Sequence, residues 1–142
     1  MERTVLHSLI FVLAVIAAGV MGPGDASGAD PPRDRVLAIY FHRTERCPTC
    51  QKMGSYSEEA VKQGFAEQIN QGTVAYYFID FQKAKNAKLA KGYQVDGPAL
   101  IVAKIRDNKV AEYKNLDDIW TNVGDKPGFL TYVKENVAQY LE

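Results

Sequence analysis

The chain has two cysteines, Cys47 and Cys50, three positions apart at the junction between an apolar run and a helix-forming stretch. A bridge between them would close almost no loop, so chain entropy gives it little stabilising value. The fold must therefore be held by a hydrophobic core. A chain of 142 residues with 46% hydrophobic content supports one such core and leaves no room for a second enzymatic domain. A structural zinc site would need two further ligands, and His42 is the only histidine after residue 28. The spacing therefore points to reactivity rather than to a staple.

Residues 1–28 read as separate from the domain. Arg3 and the amino terminus precede the unbroken apolar run Leu9–Val20, and the small-x-small site Ala26-Ser27-Gly28 precedes Ala29. This is the layout of a signal peptide. An N-terminal anchor is the alternative: the run falls short of the roughly 17 to 25 residues that span a bilayer unless it extends to Leu6 and Met21. Residues 29–34 form a linker and residues 35–142 the domain. An exported chain meets an oxidising compartment, where disulfides persist. With 17 basic and 17 acidic residues, no overall field draws it to nucleic acid or to an anionic membrane surface. Nucleic acid is not an expected partner, and membrane contact is expected only if the N-terminal segment stays uncleaved.

Arg35–Phe41 (RVLAIYF) reads as a buried strand and His42–Arg46 as a polar loop. Helix is favoured from Cys50, with an interruption around Gly54-Ser55 and a restart at the capping-box pattern Ser55-Tyr56-Ser57-Glu58. Ala60, Val61, Phe65 and Ile69 form its apolar face, and Gln71-Gly72 ends it. Thr73–Asp80 is a second strand, and Lys83–Gly92 a short helix on which Lys83, Lys85, Lys88 and Lys91 form a solvated face. Ala99–Arg106 and Lys109–Tyr113 pair around Asp107-Asn108, residues that tolerate positive φ. Asp125-Lys126-Pro127 opens a last helix through Leu141, with Phe129, Leu130, Val133, Val137 and Leu141 toward the core. The order βαβαββα predicts an α/β fold with a four-stranded mixed sheet and helices on both faces. The predicted core is Val36, Ala38, Tyr40, Phe78, Leu100, Val102, Leu130 and Val133. Trp120, the single tryptophan, is expected to pack over the core or sheet.

Cys47-Pro48-Thr49-Cys50 lies where a strand's C-terminal end feeds a helix N-terminus, whose free N–H groups and dipole favour an anion. Cys47 is the thiol such a position ionises, and thiolate is the nucleophile. Arg46, with His42 and Arg43 upstream, should favour that ionisation, and Glu45 opposes it. Cys50, one turn on, can then attack a mixed disulfide and release the product. The rival class is a non-enzymatic binding module, in which Cys47, Cys50 and Met53 hold copper(I) or the cysteines form a static bridge.

The strand, CPTC and helix, then Phe78-Ile79-Asp80, then Tyr93-Gln94-Val95-Asp96-Gly97-Pro98 entering the Ala99 strand, resemble the thioredoxin superfamily over Arg35–Glu142. More narrowly, HRTERCPTCQKM, the Val-Asp-Gly-Pro-Ala-Leu segment and Leu116-Asp117-Asp118-Ile119-Trp120 resemble a bacterial thioredoxin-like family labelled ArsF, or nitrophenyl-compound nitroreductase subunit. The superfamily resemblance implies a thioredoxin-like fold and a cis-proline at Pro98 across from the cysteines, with the backbone before it, at Gly97, pairing with a bound substrate chain. There are departures. Tyr40 replaces the buried Asp that assists proton transfer in thioredoxins, Arg46 replaces a tryptophan, and the segment before Pro98 is one residue shorter.

The expected site is thus Cys47 and Cys50 as catalytic thiols, with Arg46, Pro48, Thr49, Gly97 and Pro98 contacting substrate. It uses no metal and no cofactor beyond the redox-active cysteine pair. The chain has no G-x-G-x-x-G fingerprint for nicotinamide or flavin, so the narrower resemblance implies an electron-relay subunit rather than hydride transfer. The expected partners are a protein or small-molecule disulfide or thiol substrate and a redox partner protein. The expected place is the bacterial periplasm or the extracytoplasmic face of the membrane.

Overall fold

Strand β1 (Arg35–His42) is apolar on both sides: Val36, Ala38 and Tyr40 face one way, Ile39 and Phe41 the other, and none exceeds 3% exposure. A strand buried on both faces belongs inside a sheet. The computed structural model describes residues 29–142 and places it there, in the order β2-β1-β3-β4 with β2 (Val74–Asp80), β3 (Ala99–Arg106) and β4 (Lys109–Asn115). The expected signal segment lies outside the described residues. β1 pairs parallel with β2, from Val36↔Val74 to His42↔Asp80, and antiparallel with β3, with Phe41 opposite Ala99.

Parallel pairing requires a crossover, made by α1 (Pro48–Gly64) and α2 (Ala66–Asn70). A 3₁₀ turn (Ala84–Asn86) and α3 (Ala87–Gly92) join β2 to β3, and α4 (Ile119–Asn122) and α5 (Lys126–Leu141) follow β4. Met53, Val61, Phe129 and Val133 pack against Val36, Tyr40 and Val102 on one face. Ala90 of α3 and Tyr93 just after it lie against Ile39, Phe41 and Ile101 on the other. The architecture is therefore the α/β one expected, a four-stranded mixed sheet with helices on both faces. Asp107 and Asn108 turn the β3–β4 hairpin with φ of 49° and 62°, as a two-residue turn of this kind requires. Lys126 joins α5 to α1 through Glu59 at 2.8 Å and through the Tyr56 ring at 5.3 Å.

Three expectations are corrected. First, α1 runs without interruption through Gly54-Ser55. Gly54 is a contact residue: a Cβ there would stand 3.0 Å from Tyr40 Cε1 and 3.1 Å from Phe78 Cε2. Ser57 Oγ donates to Met53 O at 2.7 Å inside the helix, and the break comes instead at Phe65, with φ −133° and ψ 33°.

Second, Phe78 is 42% exposed and Leu130 half-buried at the rim of the core. β2 is an edge strand, so no strand flanks Phe78 on its outer side.

Third, among the described residues no peptide bond is cis, Gly97–Pro98 included. The chain reverses earlier: Gln94 takes φ 55°, its N–H bonds Lys91 O and the Val95 N–H bonds Ala90 O. This helix-ending motif redirects the backbone before it reaches Pro98.

Gly54→Ala tests the close approach of α1 to the sheet. Alanine ordinarily stabilises a helix interior by roughly 0.5–1 kcal/mol over glycine. Here the added methyl meets the fully buried Tyr40 ring, so a net loss of about 1–2 kcal/mol is expected in urea denaturation.

Candidate active site

Cys47 ends the loop after β1 in an extended conformation, φ −67° and ψ 160°, and serves as N-cap of α1. Pro48 follows in the first turn, where its missing N–H costs no helical bond. The Cys47 Sγ accepts from the Cys50 backbone N–H at 3.1 Å. The two cysteines are joined in a disulfide, with Cα atoms 5.1 Å apart. Cys47 is exposed and Cys50 only 8% exposed, so a reagent from solution meets Cys47 first.

Beneath the pair, the buried Tyr40 hydroxyl donates to Cys50 O at 2.9 Å. Burial pushes Tyr40 up to about 12, and the Arg46 charge partly offsets this. At neutral pH Tyr40 is therefore a neutral donor that holds the helix, and does not stand in for a carboxylate that takes up protons. Phe78 gathers the remaining side chains. Its ring stacks on Tyr40 at 5.7 Å and on His42 at 4.1 Å, and the Arg46 guanidinium lies 5.1 Å from its centroid. A cation over an aromatic face is held electrostatically. Arg46 is thus packed as well as charged.

The loop carrying these groups is tied to the end of β2. Thr44 Oγ donates to Asp80 Oδ2 at 2.7 Å, the Gln82 N–H donates to Asp80 Oδ1 at 3.0 Å, and the Thr44 N–H donates to Gln82 Oε1 at 3.0 Å. Loss of solvent raises the Asp80 carboxyl, but the Thr44 and Gln82 hydrogen bonds, with the charges of His42 and Lys83, outweigh it and leave the group below its ordinary value.

The structure thus brings Arg46, Cys47, Pro48, Thr49 and Cys50 together at the N-terminus of α1. Gly97 and Pro98 lie at the same end of the sheet, since Ala99 faces Phe41, but they line a different cavity, of about 240 Å³, with Asp96, Asn115 and Trp120. Neither cysteine lines it. Trp120 is 45% exposed, which corrects its expected role as core packing: the buried positions of that segment go to Leu116 and Ile119. Met53, the third soft donor of the copper alternative, is fully buried in the core. Thr44, Asp80 and Gln82 were not legible as a group. Asp80 closing an apolar strand was the one signal, and its partner follows only from the His42↔Asp80 register.

Strand order, the parallel β1–β2 crossover and the antiparallel β3–β4 hairpin define a thioredoxin-like fold, with a close cysteine pair at its β1–α1 junction. Among solved structures, the chain is similar to Fasciola hepatica thioredoxin, at 18% identity over 75% of this chain and 81% of that one, with a TM-score of 0.46. It is also similar to the germline-specific thioredoxin Deadhead of Drosophila melanogaster, at 18% identity over 67% and 81%, with a TM-score of 0.43. No family model and no curated protein matches the sequence.

The Asp80 anchor has a pH signature. A carboxyl held below its ordinary 3.8 contributes stability that is complete above that value and is lost as pH falls through the folded-state value. Asp80→Asn is therefore expected to lower the urea midpoint at neutral pH. The gap to the wild type should narrow once the pH drops below about 4.

Proposed function

We propose that the protein exchanges thiols and disulfides, with Cys47 as attacking thiol and Cys50 as resolving thiol. The observation that carries this is the placement of Cys47: exposed, at the N-cap of α1, and covalently within reach of a nearly buried Cys50. A helix N-terminus favours the thiolate, the form that attacks sulfur.

In the reduced protein, the Cys47 thiolate attacks one sulfur of a substrate disulfide and expels the other as a thiolate, giving a mixed disulfide. Cys50 loses its proton to the departing thiolate or to water and attacks the Cys47 sulfur, releasing the second substrate thiol. The substrate gains two electrons and the protein is left in the bridged form, which a dithiol partner resets. The reverse sequence oxidises a dithiol.

Arg46, Pro48 and Thr49 flank the attacking sulfur, and the Gly97-Pro98 backbone is the proposed rail for the substrate chain. The substrate is a protein or small-molecule disulfide or thiol, the reset comes from a redox partner protein, and the cysteine pair is the only redox group required. The ArsF-like resemblance supports the role of an electron-relay subunit. The N-terminal apolar run supports export to the periplasm or the outer face of the cytoplasmic membrane. Burial of Met53 weighs against copper(I) storage at this pair.

Cys50→Ser is expected to accumulate mixed disulfides with substrates, and Cys47→Ser none, on diagonal gels run with and without reductant. Equal trapping by both variants would remove the assigned roles. Arg46→Ala, with the fold intact, is expected to raise the Cys47 pKa and to slow exchange at neutral pH about two- to fivefold. Because less of the reduced form's stabilisation remains, the reduction potential becomes more negative. Thiolate absorbance against pH and equilibration with glutathione measure both.

A further inference from the structure

We propose that the surface running from Arg46 around the end of β2 onto the 3₁₀ turn and α3 docks an acidic polypeptide segment that carries an apolar side chain. This deepens the thiol exchange proposed above by naming the chemistry of its polypeptide partner, and it rests on that function.

The first support is charge segregation. The chain is neutral overall, with 17 basic and 17 acidic residues, yet the segments that follow β1 and β2 expose Arg43, Arg46, Lys83, Lys85, Lys88 and Lys91. Among the described residues, ion pairs within 4.0 Å use Arg33, Lys62, Arg106 and Lys126, and none of these six cations. Two carboxylates lie nearby. Asp80 is occupied by Thr44 and Gln82, and Glu45 is exposed in the loop. The surface is therefore rich in cations outside any ion pair within 4.0 Å, beginning at the residue beside Cys47, where Arg46 is held only by the Phe78 ring.

The second support is its relief. A cavity of about 230 Å³ opens between His42, Phe78, Lys83 and Lys85. A larger one, about 610 Å³, lies where Lys85 and Lys88 stand over Leu89, Tyr93, Val110 and Tyr113. Lys85 lines both, so the two adjoin the same side chain. Leu89 and Val110 are 41% and 49% exposed, which leaves apolar surface uncovered at the floor of the larger cavity. A basic segment would be repelled by the rim, and a wholly apolar one would leave the ammonium groups unpaired. An acidic segment satisfies the rim, and one apolar or aromatic side chain within it fills the floor. Such rim charges act mainly on the encounter rate, and salt screens them.

The test compares reduced full-length protein reacting with two disulfide peptides that differ only in flanking residues, one set acidic with a leucine and the other basic with a leucine. At low salt the acidic peptide is expected to exchange about tenfold faster, and the gap should close at high salt. Lys83→Gln, Lys85→Gln and Lys88→Gln combined should remove most of the gap, and Leu89→Ser should slow the acidic peptide at both salt concentrations. Equal rates for the two peptides, or a gap that the triple variant retains, overturn the docking surface. Reduction of the bridged Cys47–Cys50 form by dithiothreitol separates the two levels. If the wild type does not exchange with this neutral dithiol, thiol exchange itself fails. If a variant loses its dithiothreitol rate in parallel with its peptide rate, the lysines act on the cysteine pair and not on docking.

Discussion

One hydrogen bond ties the chemistry to the scaffold: the Tyr40 hydroxyl, on the central strand, donates to the backbone carbonyl of Cys50 in the first turn of α1. A typical bond of this kind contributes about 1 kcal/mol, and leaving its buried partner unsatisfied costs more. Its consequence is positional. The helix bearing both cysteines is pinned at its N-terminus to the strand that precedes it, while Gly54, one turn beyond, lets the same ring approach the helix closely. Further on, Phe129 and Val133 of α5 close over Val61 and Met53, so the far part of α1 is held by core packing. The reactive end is held by polar and aromatic contacts that leave Cys47 open.

Around that pin, Phe78 does at an edge what a core aromatic does inside. Because β2 has a neighbour on one side only, Phe78 stays partly in solvent and uses its faces for Tyr40, His42 and the Arg46 guanidinium. The cation next to Cys47 therefore sits on a ring carried by a different strand. The Thr44–Asp80–Gln82 bonds hold the backbone of the same loop from the other side. Loop and β2 end together decide where Arg46 points, and β2 continues into the lysine-rich turn and α3. Charge near the cysteine and charge on the α3 surface are thus parts of one band.

Much was legible from residue order. Short apolar, β-branched and aromatic runs located four strands, Asp107-Asn108 their hairpin, Asp125-Pro127 the start of the last helix, and CPTC after an apolar strand the thiol pair at a helix N-terminus. These are local properties: a side-chain period, a cap, a tolerated dihedral. Readings that treated a local signal as self-sufficient missed. Gly54-Ser55 looked like a helix break because glycine is a poor helix former, but the cost is offset by a contact with Tyr40 and Phe78 that lies outside the helix. Phe78 and Trp120 looked buried because they are large and aromatic, whereas exposure depends on whether another element covers them.

The sequence by itself determined the α/β class, the strand and helix order, and a close cysteine pair at the start of a helix, because periodicity and capping act within a few residues of each other. Only the tertiary structure decided which side chains surround that pair. Strand order left Phe78 at an edge, the parallel register set Asp80 beside His42, and the crossover packed Tyr40 beneath Cys50. These contacts join residues from 10 to 38 positions apart in sequence, and nothing in their local neighbourhoods encodes the distance between them.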